Sequence, residues 1–173
     1  MSDDLRAFIR DVPDFPQPGI LFRDVTPLLK DAPAFNTALD AMQNYVASRK
    51  AGAIVGIESR GFLFGTPLAA RLSLPFVPVR KPGKLPAAHM SIEYALEYGE
   101  GQLDIHSDAL SAGDSVVIID DLLATGGTAV GAAKLVELLG ARVAGMAFLI
   151  ELKGLEGRKR LQGYDVFALI DYD

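Results

Sequence analysis

The stretch Val116-Val117-Ile118-Ile119-Asp120-Asp121-Leu122-Leu123-Ala124-Thr125-Gly126-Gly127-Thr128 constrains the fold of this chain more than any other. A β-branched run without polar alternation is satisfied by a strand covered on both faces, the situation of a central strand in a parallel sheet. The run empties into two carboxylates and then into small residues, and Ala129 to Leu139 follows as a helix-like stretch. Thr125, Gly126, Gly127 and Thr128 can wrap backbone N–H groups and two hydroxyls around a phosphate at the positive end of that helix. Glycine there lets an anion approach the backbone closely.

The aspartates separate this loop from other phosphate cradles. No lysine follows the glycines, as a Walker loop requires, and the Gly-x-Gly-x-x-Gly of dinucleotide sites is absent. Carboxylates repel a phosphate but accept hydrogen bonds from a ribose diol, so Asp120 and Asp121 imply one ligand carrying both groups. They also suit positive charge developing at an anomeric carbon. The plainer alternative is a strand–loop–helix turn with Asp caps.

At 173 residues, half of them hydrophobic and 23% charged, the chain reads as one globular domain, residues 1–173. Without cysteine it has no disulfide framework, thiolate metal site or cysteine nucleophile. Met1-Ser2-Asp3-Asp4 is acidic and no apolar run is long enough for a membrane span, so a cytoplasmic protein without membrane partners is expected. A net charge of −5 argues against nucleic-acid binding. Positive charge is local instead: Arg80, Lys81 and Lys84 form a candidate anion site, or else a solvated loop. Lys153 to Arg160 reads as a surface helix.

Along the chain, Asp3 to Arg10 reads as a short helix, and Ile20 to Val25 as a strand outside the main sheet. A helix starts at Asp31-Ala32-Pro33 and runs to about Ser48. Strands and helices then alternate: strand 53–57, helix 64–72, strand 76–79, strand 115–120, helix 128–139, strand 141–152 and an edge strand 166–169. Single helices between strands imply right-handed crossovers and a parallel sheet. Residues 91–98 and 102–105 form a hairpin turning at Gly99-Glu100-Gly101. Residues 1–33 read as a small hood over the carboxyl edge of the sheet, and 34–173 as the core, with 80–106 as a lid. Glu58-Ser59-Arg60-Gly61 also follows a buried strand, so two strand-end loops can face each other across a switch point. Arg60 would then offer a bidentate guanidinium, or pair with a neighbouring acid.

The stretch around Asp120–Thr128 resembles the 5-phosphoribosyl-1-pyrophosphate (PRPP) motif of the type I phosphoribosyltransferases. Four further segments are similar to the adenine-specific members of that family: residues 14–24, Glu58 to Gly65, Arg80 to Pro86, and Leu96-Glu97-Tyr98-Gly99. Together the motifs cover about residues 11 to 152, while the last twenty residues are only loosely alike. The resemblance implies an α/β type I phosphoribosyltransferase fold, a mostly parallel sheet flanked by helices with a small N-terminal hood and a flexible hairpin lid. It implies transfer of a phosphoribosyl group from PRPP to adenine, giving AMP and pyrophosphate in purine salvage. Mg²⁺ would travel on PRPP with no direct protein ligand.

In that reading PRPP is bound by Ser59, Arg60, Arg80, Lys81, Lys84, Tyr98, Asp120, Asp121, Ala124, Thr125, Gly126, Gly127 and Thr128. Adenine lies between Phe22 and Leu122, with the backbone of Leu21 and Arg23 at its edge. Arg60, Glu97, Asp120 and Asp121 carry the chemistry: Glu97 manages a purine proton and Tyr98 shields the reacting carbon from water. The resemblance also implies a cis peptide at Glu58–Ser59, and a homodimer in which Lys81 reaches the neighbouring site. Two alternatives remain open: a phosphoribosyltransferase for another purine such as hypoxanthine or xanthine, and a PRPP-binding regulator of the same fold.

Overall fold

A computed structural model describes residues 5–96 and 99–173. Its main sheet has the strands β3 (Ala53–Ile57), β4 (Phe76–Val79), β7 (Ser115–Leu123), β8 (Arg142–Leu152) and β9 (Val166–Tyr172), in the order β4-β3-β7-β8-β9, all parallel. From β3 the chain crosses outward to β4, whereas from β7 it crosses the other way to β8 and β9. The direction therefore reverses between β3 and β7, and the carboxyl ends of these two strands flank the crevice where open α/β sheets take ligands.

The continuous apolar runs are explained by burial on both faces. Val116 and Ile118 of β7 pack with Val55, Phe148 and the inner side of α4 (Gly127–Leu138). Val117 and Ile119 pack with Ile54, Phe64 and Leu68, beside α2 (Ala32–Ser48) and α3 (Arg60–Leu72). Alternate residues thus face opposite layers, and truncating Ile118 or Ile119 to Ala should cost about 2–5 kcal/mol. Asp31 caps α2 by accepting a hydrogen bond from the Ala34 N–H at 2.9 Å.

Two antiparallel ribbons flank the sheet: β1 (Arg10–Pro13) with β2 (Leu21–Asp24), and β5 (His89–Ala95) with β6 (Glu100–His106). Several sequence expectations shift here. The helix expected from Asp3 to Arg10 is helical at Leu5 and Arg6 and gives way to a turn from Ala7, because Arg10 to Pro13 instead find a non-local strand partner that no periodicity reveals. A short helix α1 (Thr26–Lys30) precedes α2, started by Asp24, whose carboxylate accepts from the Thr26 N–H and hydroxyl. Glu100 and Gly101, expected in the hairpin turn, instead lie in β6 opposite Ala95 and Tyr94, and the Leu96 N–H donates to the Gly99 carbonyl at 3.0 Å. Lys153 to Arg160 is a 3₁₀ turn (Lys153–Leu155) followed by the short α5 (Gly157–Arg160), and it is not a solvated face throughout. Arg158 pairs with the buried Glu151 at 2.8 Å.

Candidate active site

The strand β7 runs four residues further than its apolar run, because the long β8 continues the ladder: Asp120 lies opposite Phe148 and Leu122 opposite Ile150. The two aspartates are therefore held by strand geometry, pointing to alternate sides. Asp121 is buried, 4% exposed, and its Oδ2 receives Arg60 Nε at 2.6 Å. Asp120 is half-buried and accepts a hydrogen bond from the Asp121 N–H at 2.8 Å. Burial, then the adjacent Asp121 charge, push the Asp120 carboxyl well above its ordinary range.

The loop after β3 packs directly onto these acids. A Cβ on Gly61 would sit 2.7 Å from the Ile119 carbonyl oxygen and 3.1 Å from Asp120 Oδ1, so only glycine permits this approach. The helix α3 begins at Arg60, four residues ahead of the apolar run that announces it, which places Arg60 in its first turn facing β7. The Glu58–Ser59 peptide is cis. Arg60 also lies over the Phe22 ring, 5.1 Å from its centroid, so one guanidinium links the hood to the β7 acids.

Glu58 turns the other way, into the basic loop. It accepts from Arg80 Nε and Nη2 at 3.2 Å each and from the Lys81 N–H at 2.9 Å, with Lys84 Nζ at 3.9 Å. Burial raises its pKa, but the Arg80 and Lys81 hydrogen bonds and the nearby cationic charges outweigh that, and the carboxyl lies below its ordinary range.

Between the two loops lies a cavity of about 470 Å³, the size of a small-ligand site. It is lined by Ser59, Arg60, Lys81, Asp120, Asp121, Leu122 and the loop from Ala124 to Thr128. In that loop Gly126 adopts φ 84°, turning the chain into α4 and leaving N–H groups at its amino end. Arg80 and Lys84 do not line the cavity but are engaged by Glu58, and Leu21, Phe22 and Arg23 sit in the hood beyond Arg60. Glu97 and Tyr98 lie outside the described residues. Sequence reasoning passed over Glu58 as a ligand of the basic loop and Tyr94 as a lining residue. The even spacing of Ile92, Tyr94 and Leu96 was the available signal for Tyr94.

Among the described residues no group of three or more His, Cys, Asp or Glu converges as a metal site. Asp120 and Asp121 alone would leave most of a Mg²⁺ coordination sphere to ligand oxygens and water, which fits an ion carried in on a pyrophosphate. No helix among the described residues is long and apolar enough to cross a membrane.

Fold and site together define a doubly wound α/β protein with a cleft at its switch point lined by two acids and a glycine-containing loop. A family model described as phosphoribosyl transferase domain matches residues 29–172, and the chain belongs to that family. It is 53% identical over 167 residues to the adenine phosphoribosyltransferase of Halothermothrix orenii, covering 96% of this chain and 98% of the relative. The crystal structure of adenine phosphoribosyltransferase from Thermoanaerobacter pseudethanolicus matches with a TM-score of 0.97 and 54% identity, over 99% of this chain and 100% of that one. The Saccharomyces cerevisiae enzyme, solved with an imino-altritol bisphosphate and adenine, matches with a TM-score of 0.92 and 40% identity, over 98% of each chain.

Proposed function

We propose that this chain transfers the 5-phosphoribosyl group of PRPP to adenine, giving AMP and pyrophosphate. The observation that carries this reading is the pairing of Asp120–Thr128 with Ser59–Arg60 across one cleft, in a chain whose full-length relatives bear that activity's name. The loop from Ala124 to Thr128 takes the 5′-phosphate, and the acids take the ribose diol. When bound, Mg²⁺ on PRPP neutralises the leaving pyrophosphate.

Arg60 uses Nε on Asp121, which leaves its remaining N–H donors for pyrophosphate oxygens. Asp121 thereby orients the group that assists departure, while both carboxylates stabilise cationic character at C1. Displacement at C1 is loose and inverting, with N9 of adenine attacking from the hood side. Adenine stacks between Phe22 and Leu122, and the Leu21 and Arg23 backbone reads its edge. The roles of Glu97, in handling the purine proton, and of Tyr98, in excluding water, rest on the sequence resemblance.

Incubation with PRPP, Mg²⁺ and each natural nucleobase, followed by identification of the nucleotide, tests the reading. Adenine should be used at least ~100-fold better than hypoxanthine or guanine, the penalty for leaving site polar groups unpaired. Comparable turnover of hypoxanthine would overturn the base assignment. Homodimerisation with Lys81 acting in the neighbouring site belongs to the same proposal, although Lys81 also lines the cleft of its own chain. Mixing inactive Lys81→Ala and Asp121→Asn chains should restore activity if Lys81 acts across subunits, and should not if it acts within its own.

A further inference from the structure

Where β5 ends, the hairpin lies against the phosphate loop. The Tyr94 ring occupies a notch made by three glycines. A Cβ on Gly101, its partner across the ribbon, would be 2.5 Å from ring Cζ. One on Gly131 would be 3.1 Å from Cδ1, and one on Gly127 would be 3.6 Å from Cδ2. The Gly127 position also brings the Ala95 carbonyl oxygen within 2.7 Å, so the end of β5 touches the loop backbone. From the other side Arg160 closes the contact. Its Nη1 donates to that same Ala95 carbonyl at 3.3 Å, while its Cβ lies 3.4 Å from the Gly126 position.

Tyr94 and Thr128 both line the cleft, and Thr128 Oγ1 donates to the Tyr94 hydroxyl at 3.5 Å. That separation is at the long limit of a hydrogen bond. Among the described residues the Tyr94 hydroxyl has no hydrogen-bond partner besides Thr128. A phenolic donor with a weak partner, at the rim of an anion loop, matches a phosphate oxygen, with which charge-assisted bonds are short and strong.

We infer that Tyr94 is a ligand of the substrate's 5′-phosphate and the joint that ties the hairpin to the phosphate loop, with Arg160 as its positioning residue. The inference rests on the function proposed above and assigns that site a contact made by the paired strand of the hairpin just before its turn. Binding of the 5′-phosphate then draws Tyr94 and Thr128 onto one anion, so hairpin position and phosphate occupancy are coupled.

Tyr94→Phe keeps the ring in its notch and removes only the hydroxyl. Calorimetric titration of the full chain should show AMP and ribose 5-phosphate binding weakened about tenfold, with pyrophosphate binding and melting temperature unchanged. Arg160→Gln should weaken AMP several-fold through the loosened Ala95 tie, again sparing pyrophosphate. Unchanged AMP affinity in Tyr94→Phe, or equal loss for AMP and pyrophosphate, would overturn the assignment. The parent chain separates the two proposals. If it binds ribose 5-phosphate through Tyr94 but forms no AMP from adenine and PRPP, the proposed activity fails and the Tyr94 contact stands.

Discussion

Glu58 follows the end of β3 and Asp120 lies in the adjacent parallel strand β7, at the same edge of the sheet, yet their surroundings drive the two carboxyl groups in opposite directions. Glu58 faces Arg80, Lys84 and the Lys81 N–H, and its pKa is lowered despite burial. Asp120 has the Asp121 charge next to it in the chain, and burial plus that neighbouring charge raise its pKa, with Arg60 only partly compensating. Position at a strand end therefore does not determine what an acid does. Glu58 is satisfied within the protein and clasps the basic loop. Asp120 is held against its ionised form, which is how a site looks when its charge is meant for a ligand and not for stability.

Asp121→Asn has the largest expected effect. It removes the charge facing the reacting carbon and loosens the orientation of Arg60, so kcat/KM should fall by about 10²–10³-fold. Asp121 is buried and in 2.6 Å contact with Arg60, so the substitution also costs stability. Because Arg60 is 41% exposed and can be solvated, the loss should stay near 1–2 kcal/mol. Unchanged activity with a large drop in Tm would make Asp121 a structural acid like Glu58 and dissolve the contrast.

The opposite shifts make opposite stability predictions. The Asp120 pKa is raised, so the folded state binds more protons between the ordinary value of 3.8 and the folded value, and stability falls as pH rises through that window. Asp120→Asn, without the ionisation penalty, should melt a few degrees above the parent at neutral pH while losing activity, the gain vanishing toward about pH 4. Glu58 is lowered, so its contribution is present above the ordinary value of 4.5 and is lost as pH falls through its folded value. Glu58→Gln should therefore melt below the parent at neutral pH, by about 1–2 kcal/mol for a paired, mostly buried carboxylate, and converge with it in acid. Melting curves of the three proteins between about pH 3.5 and 8 decide the matter. Shifts of the same sign in both variants would break the comparison.

Much of this was legible in the sequence. The β-branched runs of β3 and β7 and the small residues after Asp121 located the switch point, because double burial and close anion approach leave strong local signatures. Non-local geometry was not legible. The β1–β2 pairing depends on residues eight to fourteen apart finding each other around a proline-rich turn. The clasp between Glu58 and Arg80 depends on two adjacent strands ending level, which places residues 22 positions apart in contact. The basic loop accordingly read as an anion site, when part of its charge is already engaged by a protein carboxylate. Tyr94 and Arg160 were missed for the same reason: neither carries a motif, and their meaning comes from the glycines opposite them.

The smallest expected effect belongs to Lys84, and it sharpens the account of why Glu58 is low. Arg80 makes a bidentate contact at 3.2 Å, whereas Lys84 stands 3.9 Å away with a side chain 52% exposed. An exposed ion pair at that distance is worth at most about 1 kcal/mol and is screened by salt. Lys84→Ala should therefore lower Tm by no more than about 2–3 °C at neutral pH, less than Glu58→Gln, with the difference fading at high salt. Arg80→Ala should instead match Glu58→Gln, because it strands the same buried carboxylate. The kinetic reading is separate. If Lys84 leaves Glu58 for the pyrophosphate during turnover, Lys84→Ala will raise KM for PRPP by several-fold at unchanged adenine KM; if it stays on Glu58, neither constant will move. A Tm loss in Lys84→Ala equal to that in Arg80→Ala would show that diffuse positive charge, and not the bidentate guanidinium, holds Glu58 ionised.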